Sequence, residues 1–105
     1  MSLGQKQRKF ALMLAQLICY AYSLGYELSF GRGSVSKAAN EADGGHKRSL
    51  HLLRLAQDLN LFKDASFLTD GAEHSVLHDY WDMLGGAKRI AKDMNHYSLE
   101  HDGMK

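Results

Sequence analysis

Leu50-His51-Leu52-Leu53-Arg54-Leu55-Ala56-Gln57-Asp58-Leu59-Asn60-Leu61-Phe62 can be read two ways, and the fold class turns on the choice. Leu52, Leu55, Leu59 and Phe62 recur at helical spacing, which describes an amphipathic helix. Asp58-Leu59-Asn60-Leu61 alternates polar and apolar, the period of a half-buried strand. Periodicity alone leans towards helix throughout and leaves the strand open. The stretch also carries chemistry in His51 and Asp58, and Asp93-Met94-Asn95-His96 adds a second imidazole and a second carboxylate. Two imidazoles and two carboxylates are the inventory of a catalytic zinc site. Three ligands drawn from His and Asp leave a fourth tetrahedral position for a water, and a spare carboxylate can take that water's proton.

Working outward, residues 5–24 read as a helix. Phe10, Met13, Leu14, Leu17, Ile18, Ala21 and Leu24 recur at its spacing, and Gly25 follows in the usual position past the last turn. Residues 26–30 alternate and are β-prone. Residues 31–47, with Gly at 31, 33, 44 and 45, form a long loop with a helical turn expected around 36–42. Lys63-Asp64-Ala65-Ser66 is expected to be a hairpin turn leading to Phe67-Leu68. A second helix is predicted over residues 72–84, with Val76, Leu77, Tyr80, Trp81 and Leu84 on its apolar face and Gly85-Gly86 stopping it. Residues 96–100 close the chain as a strand.

The 105 residues suit one domain with one modest core. Apolar content of 45% and charged content of 24% are those of an ordinary globular chain rather than a disordered one. A formal net charge of +1 argues against a dedicated nucleic-acid binder. Cys19 is the one cysteine, so no internal disulfide can form, and a small buried hydrophobe in the first helix is its expected role. Lys6, Arg8 and Lys9 before an apolar stretch, with Ala21-Tyr22-Ser23 as a cleavage-like site, resemble a signal peptide. The helical stripe, broken by Gln16 and Ser23, makes a core helix the better reading, and the stretch falls short of the ~20 apolar residues a span needs.

Taken singly the four chemical residues are weak signals. A lone His on a leucine-rich segment is most often structural, Asp58 could be a solvated carboxylate, and Asp93 with His96 could be a helix-end charge pair. The joint pattern is more specific. Ser49-x-His51, six intervening residues to Asp58, then Asp93-x-x-His96 resembles the zinc D,D-carboxypeptidase and L-alanyl-D-glutamate peptidase family. Tyr26-Glu27-Leu28-Ser29-Phe30-Gly31, the run Arg54-Leu55-Ala56-Gln57-Asp58-Leu59-Asn60-Leu61-Phe62-Lys63, and Asn95-His96-Tyr97-Ser98-Leu99-Glu100-His101 read like its small phage endolysin branch. The resemblance covers nearly the whole chain.

It implies an α+β fold: a small antiparallel sheet packed against helices, of the zinc D-Ala-D-Ala peptidase-like (hedgehog-like) type, as a single domain over residues 1–105. It also implies a short turn carrying His51 and then a strand carrying Asp58, which decides the ambiguous stretch. One zinc per chain would be held by His51, Asp58 and His96. One carboxylate leaves such a site with a net charge of about +1, enough to polarise a carbonyl and acidify a bound water. Asp93, three residues before the last His, takes the place of the family's general base, a role contributing about 10²–10⁴-fold. Ser49 and Asn95 flank the ligands and are expected to orient an imidazole N–H or the substrate, or else to be turn residues. His46, His74, His78 and His101 match no motif position and are expected on the surface or in loops.

Two departures bear on the substrate contacts. Relatives carry an Arg after the first strand, in a word like Gly-x-x-Tyr-Arg, that steadies the developing oxyanion. Here the stretch is Gly31-Arg32-Gly33-Ser34-Val35-Ser36, and Val35 stands at the matched position. Arg32 is the expected substitute, with Lys37 and Arg48 as weaker candidates. The Trp-Gly-Gly word before the catalytic Asp is altered to Leu84-Gly85-Gly86 with a different spacer.

The function implied is that of a phage or prophage endolysin, a zinc metallopeptidase hydrolysing the L-Ala–D-Glu bond of peptidoglycan stem peptides. A D-Ala-D-Ala carboxypeptidase is the alternative within the same chemistry. A non-catalytic zinc-binding module is a different class, and the retained Asp93 argues against it. Non-haem iron oxygenases share two His and one carboxylate, but with one residue between the first pair and a larger all-β fold. The expected partner is the stem peptide, with no nucleic acid and no stable membrane association, and the chain is expected to be a monomer. Its expected location is the host cytoplasm, without a signal peptide, until a holin pore releases it to the wall.

Overall fold

The ambiguous stretch divides at Arg54. In the computed structural model, which describes residues 1–42, 44 and 49–105, Leu50–Leu53 form a single 3-10 turn. Arg54 then takes a left-handed conformation (φ 58°) that ends it, and strand Ala56–Lys63 follows. Leu59 and Leu61 are fully buried while Asn60 between them is only half-buried, so a period of two prevails from Asp58 onward. Leu52 and Phe62, which the helical reading would place in the core, are half-buried.

The main elements in chain order are α1 (Leu3–Ser23), β1 (Glu27–Phe30), α2 (Lys37–Ala42), β2 (Ala56–Lys63), β3 (Ser66–Phe67), α3 (Ser75–Leu84) and β4 (His96–Ser98). β2 is the organising strand. It pairs antiparallel with β1 (Phe30 opposite Leu59), with β3 (Phe62 opposite Phe67) and with β4 (Asp58 opposite His96). The chain is thus α+β with a small antiparallel sheet and helices.

α1 starts two residues earlier than its apolar stripe predicts because Ser2 caps it. The Ser2 hydroxyl accepts from the Gln5 amide, and the Gln5 side chain accepts from the Ser2 amide. Phe10, Met13, Leu17 and Ala21 form the buried face. Cys19 corrects an expectation: it is exposed, since two residues beyond Leu17 is about 200° around the helix. No helix among the described residues is long and apolar enough to cross a membrane.

α3 packs on α1 through Phe10 edge-on to Trp81 (centroids 5.8 Å apart) and Tyr20 stacked on Tyr80 (4.1 Å). The predicted helix over 72–84 is split: Gly71–His74 is a 3-10 turn capped by the Asp70 carboxylate, and α3 proper begins at Ser75. Gly85 ends α3 at φ 95°. At Gly86 a Cβ would collide with the Trp81 indole, whose Nε1–H donates to the Ser98 carbonyl. α3 is therefore bonded directly to β4.

His74 and His78 were expected on the surface, and both are buried. They form a layer with Tyr97: His78 stacks on its ring (4.3 Å, 13°), and His74 Nδ1 lies 2.7 Å from its hydroxyl. Burial, with the neighbouring His78 adding, pushes the His74 imidazole down from 6.5 to about 4. His78 is likewise lowered, chiefly by burial. His101 is half-buried and bridges to Met104. His46 lies outside the described residues.

The buried imidazoles set a pH dependence. Between about pH 6.5 and 4 the unfolded chain binds a proton at position 74 that the folded chain refuses, so stability must fall as pH is lowered through that window. His74 alone contributes roughly 3 kcal/mol to this loss. Urea unfolding midpoints should therefore drop steadily from pH 7 to 4, and a level profile down to pH 5 would show that His74 titrates normally.

Candidate metal centre

Three elements converge on one point. β2 presents Asp58, β4 presents His96 from the position directly opposite, and the Leu50–Leu53 turn presents His51. Asp58 Oδ1 lies 3.4 Å from His51 Nε2 and 3.2 Å from His96 Nδ1. Ligands at about 2.05 Å from a tetrahedral zinc stand about 3.3 Å apart, so both separations match an edge of that tetrahedron. The three ligand atoms lie within 4.8 Å of one another, and the cluster could hold a metal ion. Both imidazoles are buried, and the Asp58 side chain is 17% exposed.

The protonation pattern favours a cation. His51 Nδ1 is 3.0 Å from the Gly33 carbonyl, which can only accept, so Nδ1 carries the proton and donates it. His51 Nε2 then directs a lone pair at the Asp58 carboxylate. Two electron-rich atoms at 3.4 Å are compatible only with positive charge between them, as a metal ion or a second proton on the ring. Burial raises the Asp58 carboxyl, but with Nε2 of His51 also carrying a proton the hydrogen bonds and charges of His51 and His96 outweigh it and hold it down at about 2. Asp58 is therefore anionic throughout the physiological range. His96 Nε2 is buried with no hydrogen-bond partner among the described residues, leaving the Asp58 contact as the polar anchor of that ring.

The chain matches no family model, no curated protein and no solved structure.

Asp93 lies beside the cluster and outside it. Its Oδ2 is 4.0 Å from His96 Nδ1, and its side chain is 51% exposed. It lines a cleft of about 320 Å³ together with Ser49, His51, Ile90, His96 and Lys105. It also lines a second cleft, about 380 Å³, whose other walls include Leu59, Asn60, Leu68, Lys92 and Asn95. Asp93 is the lining residue the two clefts share.

The flanking residues are placed differently from one another. The Ser49 hydroxyl accepts from the His51 backbone N–H at 3.2 Å and so caps the turn, while the imidazole N–H goes to Gly33. The Asn95 carbonyl accepts from Leu59 N–H and fastens the segment before β4 to β2. The Arg32 guanidinium donates to Asn40 Oδ1 on α2 at 3.1 Å, and Arg32 lines neither cleft. Lys37 lies with Asn40 in a separate hollow, and Arg48 falls outside the described residues.

Two residues essential to this geometry carry no sequence signal. Gly33 contributes only its carbonyl. Gln57 Nε2 reaches the carbonyls of Gly31, Arg32 and Asp58, locking the 31–33 segment along β2. A Cβ at Gly33 would come within 2.6 Å of Gln57 Oε1, so a larger residue there would have to displace the amide that holds residues 31–33. Lys105, which enters the metal cleft, was likewise unanticipated.

Zinc titration of purified protein should show one site. His51→Ala and Asp58→Ala should abolish it, because two protein ligands rarely hold zinc firmly. Gly33→Ala should weaken binding about 10–100-fold, by displacing the carbonyl that orients His51. Zinc affinity unchanged in Gly33→Ala would show that the carbonyl contact is incidental.

Proposed function

We propose that this chain is a zinc metallopeptidase of the bacterial cell wall, an endolysin that hydrolyses the L-Ala–D-Glu bond of peptidoglycan stem peptides. One zinc per chain would be held by His51, Asp58 and His96. The observation that carries the reading is the placement of Asp93: a half-exposed carboxylate 4.0 Å from the ligand nitrogen of His96, at the boundary of two clefts, outside the ligand set. A structural zinc site is closed by four protein ligands, whereas three ligands with a carboxylate alongside leave the open position that hydrolysis needs. The finer fold assignment, the zinc D-Ala-D-Ala peptidase-like (hedgehog-like) type, belongs to the same proposal.

When bound, zinc would supply a Lewis acid for the scissile carbonyl and acidify a water at neutral pH. The protein groups do the rest. His51, kept in one tautomer by Gly33, and the anionic Asp58 keep the ligand set at a single negative charge. Asp93 takes a proton on the cleft side and passes it to the leaving amine, for which its exposure to both clefts is suited. A stem peptide lying across Asp93 would have its two halves in the two clefts.

A D-Ala-D-Ala carboxypeptidase is the second reading, since the same centre serves both bonds. The stem peptide as partner, a monomeric chain, and residence in the host cytoplasm until release through a holin pore accompany the endolysin reading. The oxyanion role suggested for Arg32 requires its guanidinium to leave Asn40 for the substrate.

Purified zinc-loaded protein should release new D-Glu N-termini from peptidoglycan, detected by mass spectrometry. Free D-Ala would select the carboxypeptidase, and no new termini of either kind would leave a binding module. Asp93→Ala should retain zinc and lose about 10²–10⁴-fold in rate. Arg32→Ala should lower kcat about 10²–10³-fold if it serves the oxyanion. A loss under about threefold would confine Arg32 to bracing α2.

A further inference from the structure

The segment 93–96 carries both Asp93 and His96, and each of its three internal carbonyls is held. The Asp93 carbonyl accepts from His96 N–H at 3.1 Å, and the Asn95 carbonyl accepts from Leu59 N–H at 2.9 Å. Only the Met94 carbonyl is held by a side chain, accepting from His78 Nε2–H at 2.6 Å. His78 is fully buried and stacked on Tyr97, which adjoins His96. Its other nitrogen, Nδ1, is buried with no hydrogen-bond partner among the described residues. Leaving such an atom bare is unfavourable, and an apolar residue of similar shape would avoid the penalty. The histidine is therefore kept for what Nε2–H does.

We infer that His78 is a positioning residue: by gripping the Met94 carbonyl it sets where the Asp93 carboxylate stands relative to the metal ligands. The need for such a grip follows from Asp93's own surroundings. Its side chain is half-exposed, so packing does not fix it, and its place is decided by the backbone on either side. On the N-terminal side Asp93 N–H donates to the Ile90 carbonyl at 2.9 Å. On the C-terminal side the Met94 peptide is the next plane, and α3 reaches it through His78. The role is distinct from that of His51 and His96, whose ring nitrogens face Gly33 and Asp58 rather than His78. It rests on the reading of Asp93 as the general base, and its test is separable from that reading.

The experiment compares His78→Gln, whose amide can still donate to Met94, with His78→Leu and His78→Asn, which cannot reach it. Three quantities are measured for each: zinc affinity by titration, amide exchange at residues 94–96 by NMR, and kcat and KM on a stem peptide. Zinc affinity should stay within about threefold of wild type, because the ligands are untouched. Exchange should accelerate on the order of tenfold in the Leu and Asn variants and not in Gln, the equivalent of one lost hydrogen bond. In the same two variants kcat should fall about 10–100-fold with KM little changed, and Gln should restore most of it. Should Leu prove unable to fold, Asn against Gln carries the comparison. Wild-type exchange and kcat in Leu or Asn would overturn the inference, and so would zinc loss parallel to the rate loss, which would make His78 a support of His96. If the wild type cleaves no stem peptide, the peptidase reading fails alone. Exchange and zinc affinity then decide His78: a loosened segment with intact zinc binding supports it, and unchanged exchange refutes it.

Discussion

An ionised carboxylate set between two buried imidazoles constrains the rest of this molecule. His51 and His96 converge on one oxygen of Asp58 and hold its carboxyl below the usual range against the burial that raises it. That convergence needs His96 directly opposite Asp58 on an antiparallel neighbour and His51 on a turn that ends just before the strand. A helix through residues 50–62 would put His51 and Asp58, seven apart, two turns from each other along one face, with no opposite strand to supply His96. The left-handed residue at Arg54 is what permits turn and strand to meet at the required angle.

Behind this front the protein builds a second layer out of polar side chains. Trp81, His78 and His74 all hydrogen-bond to the 94–98 segment, so the last helix and the turn before it are tied to the site by three bonds rather than by apolar contact alone. A loop packed only on leucines can slide. One whose carbonyls are individually held cannot, and the geometry of a half-exposed carboxylate such as Asp93 depends on that difference. On the opposite side Gln57 does the corresponding work for residues 31–33, and through Gly33 for His51.

The apolar stripe of α1, the hairpin at residues 63–66 and the stop at Gly85 were all readable, because each depends on local spacing or a local turn. The cluster of His51, Asp58 and His96, which could hold a metal ion, was readable through its spacing and the words around it. Cys19 could have been placed correctly from the helical angle alone. So could His74 and His78, which fall with Leu77 and Trp81 at the i, i+3, i+4, i+7 spacing of the buried face; their partners there, the Tyr97 hydroxyl and the Met94 carbonyl, lie more than 15 residues away and could not be read. Arg32 was assigned by proximity in sequence, whereas its guanidinium is engaged by Asn40 on α2.

The sequence by itself determined which residues can carry charge, ligate a metal or line a helical face, since those properties belong to single side chains and their spacing. It also determined the chemistry to look for, in two imidazoles and two carboxylates. Only the tertiary structure decided that turn and strand divide at Arg54, that Gly33 offers its carbonyl to His51, and that His78 holds the Met94 carbonyl. Those outcomes rest on hydrogen bonds to backbone groups far away in the chain. Backbone groups are the same at every position and leave no mark on the sequence.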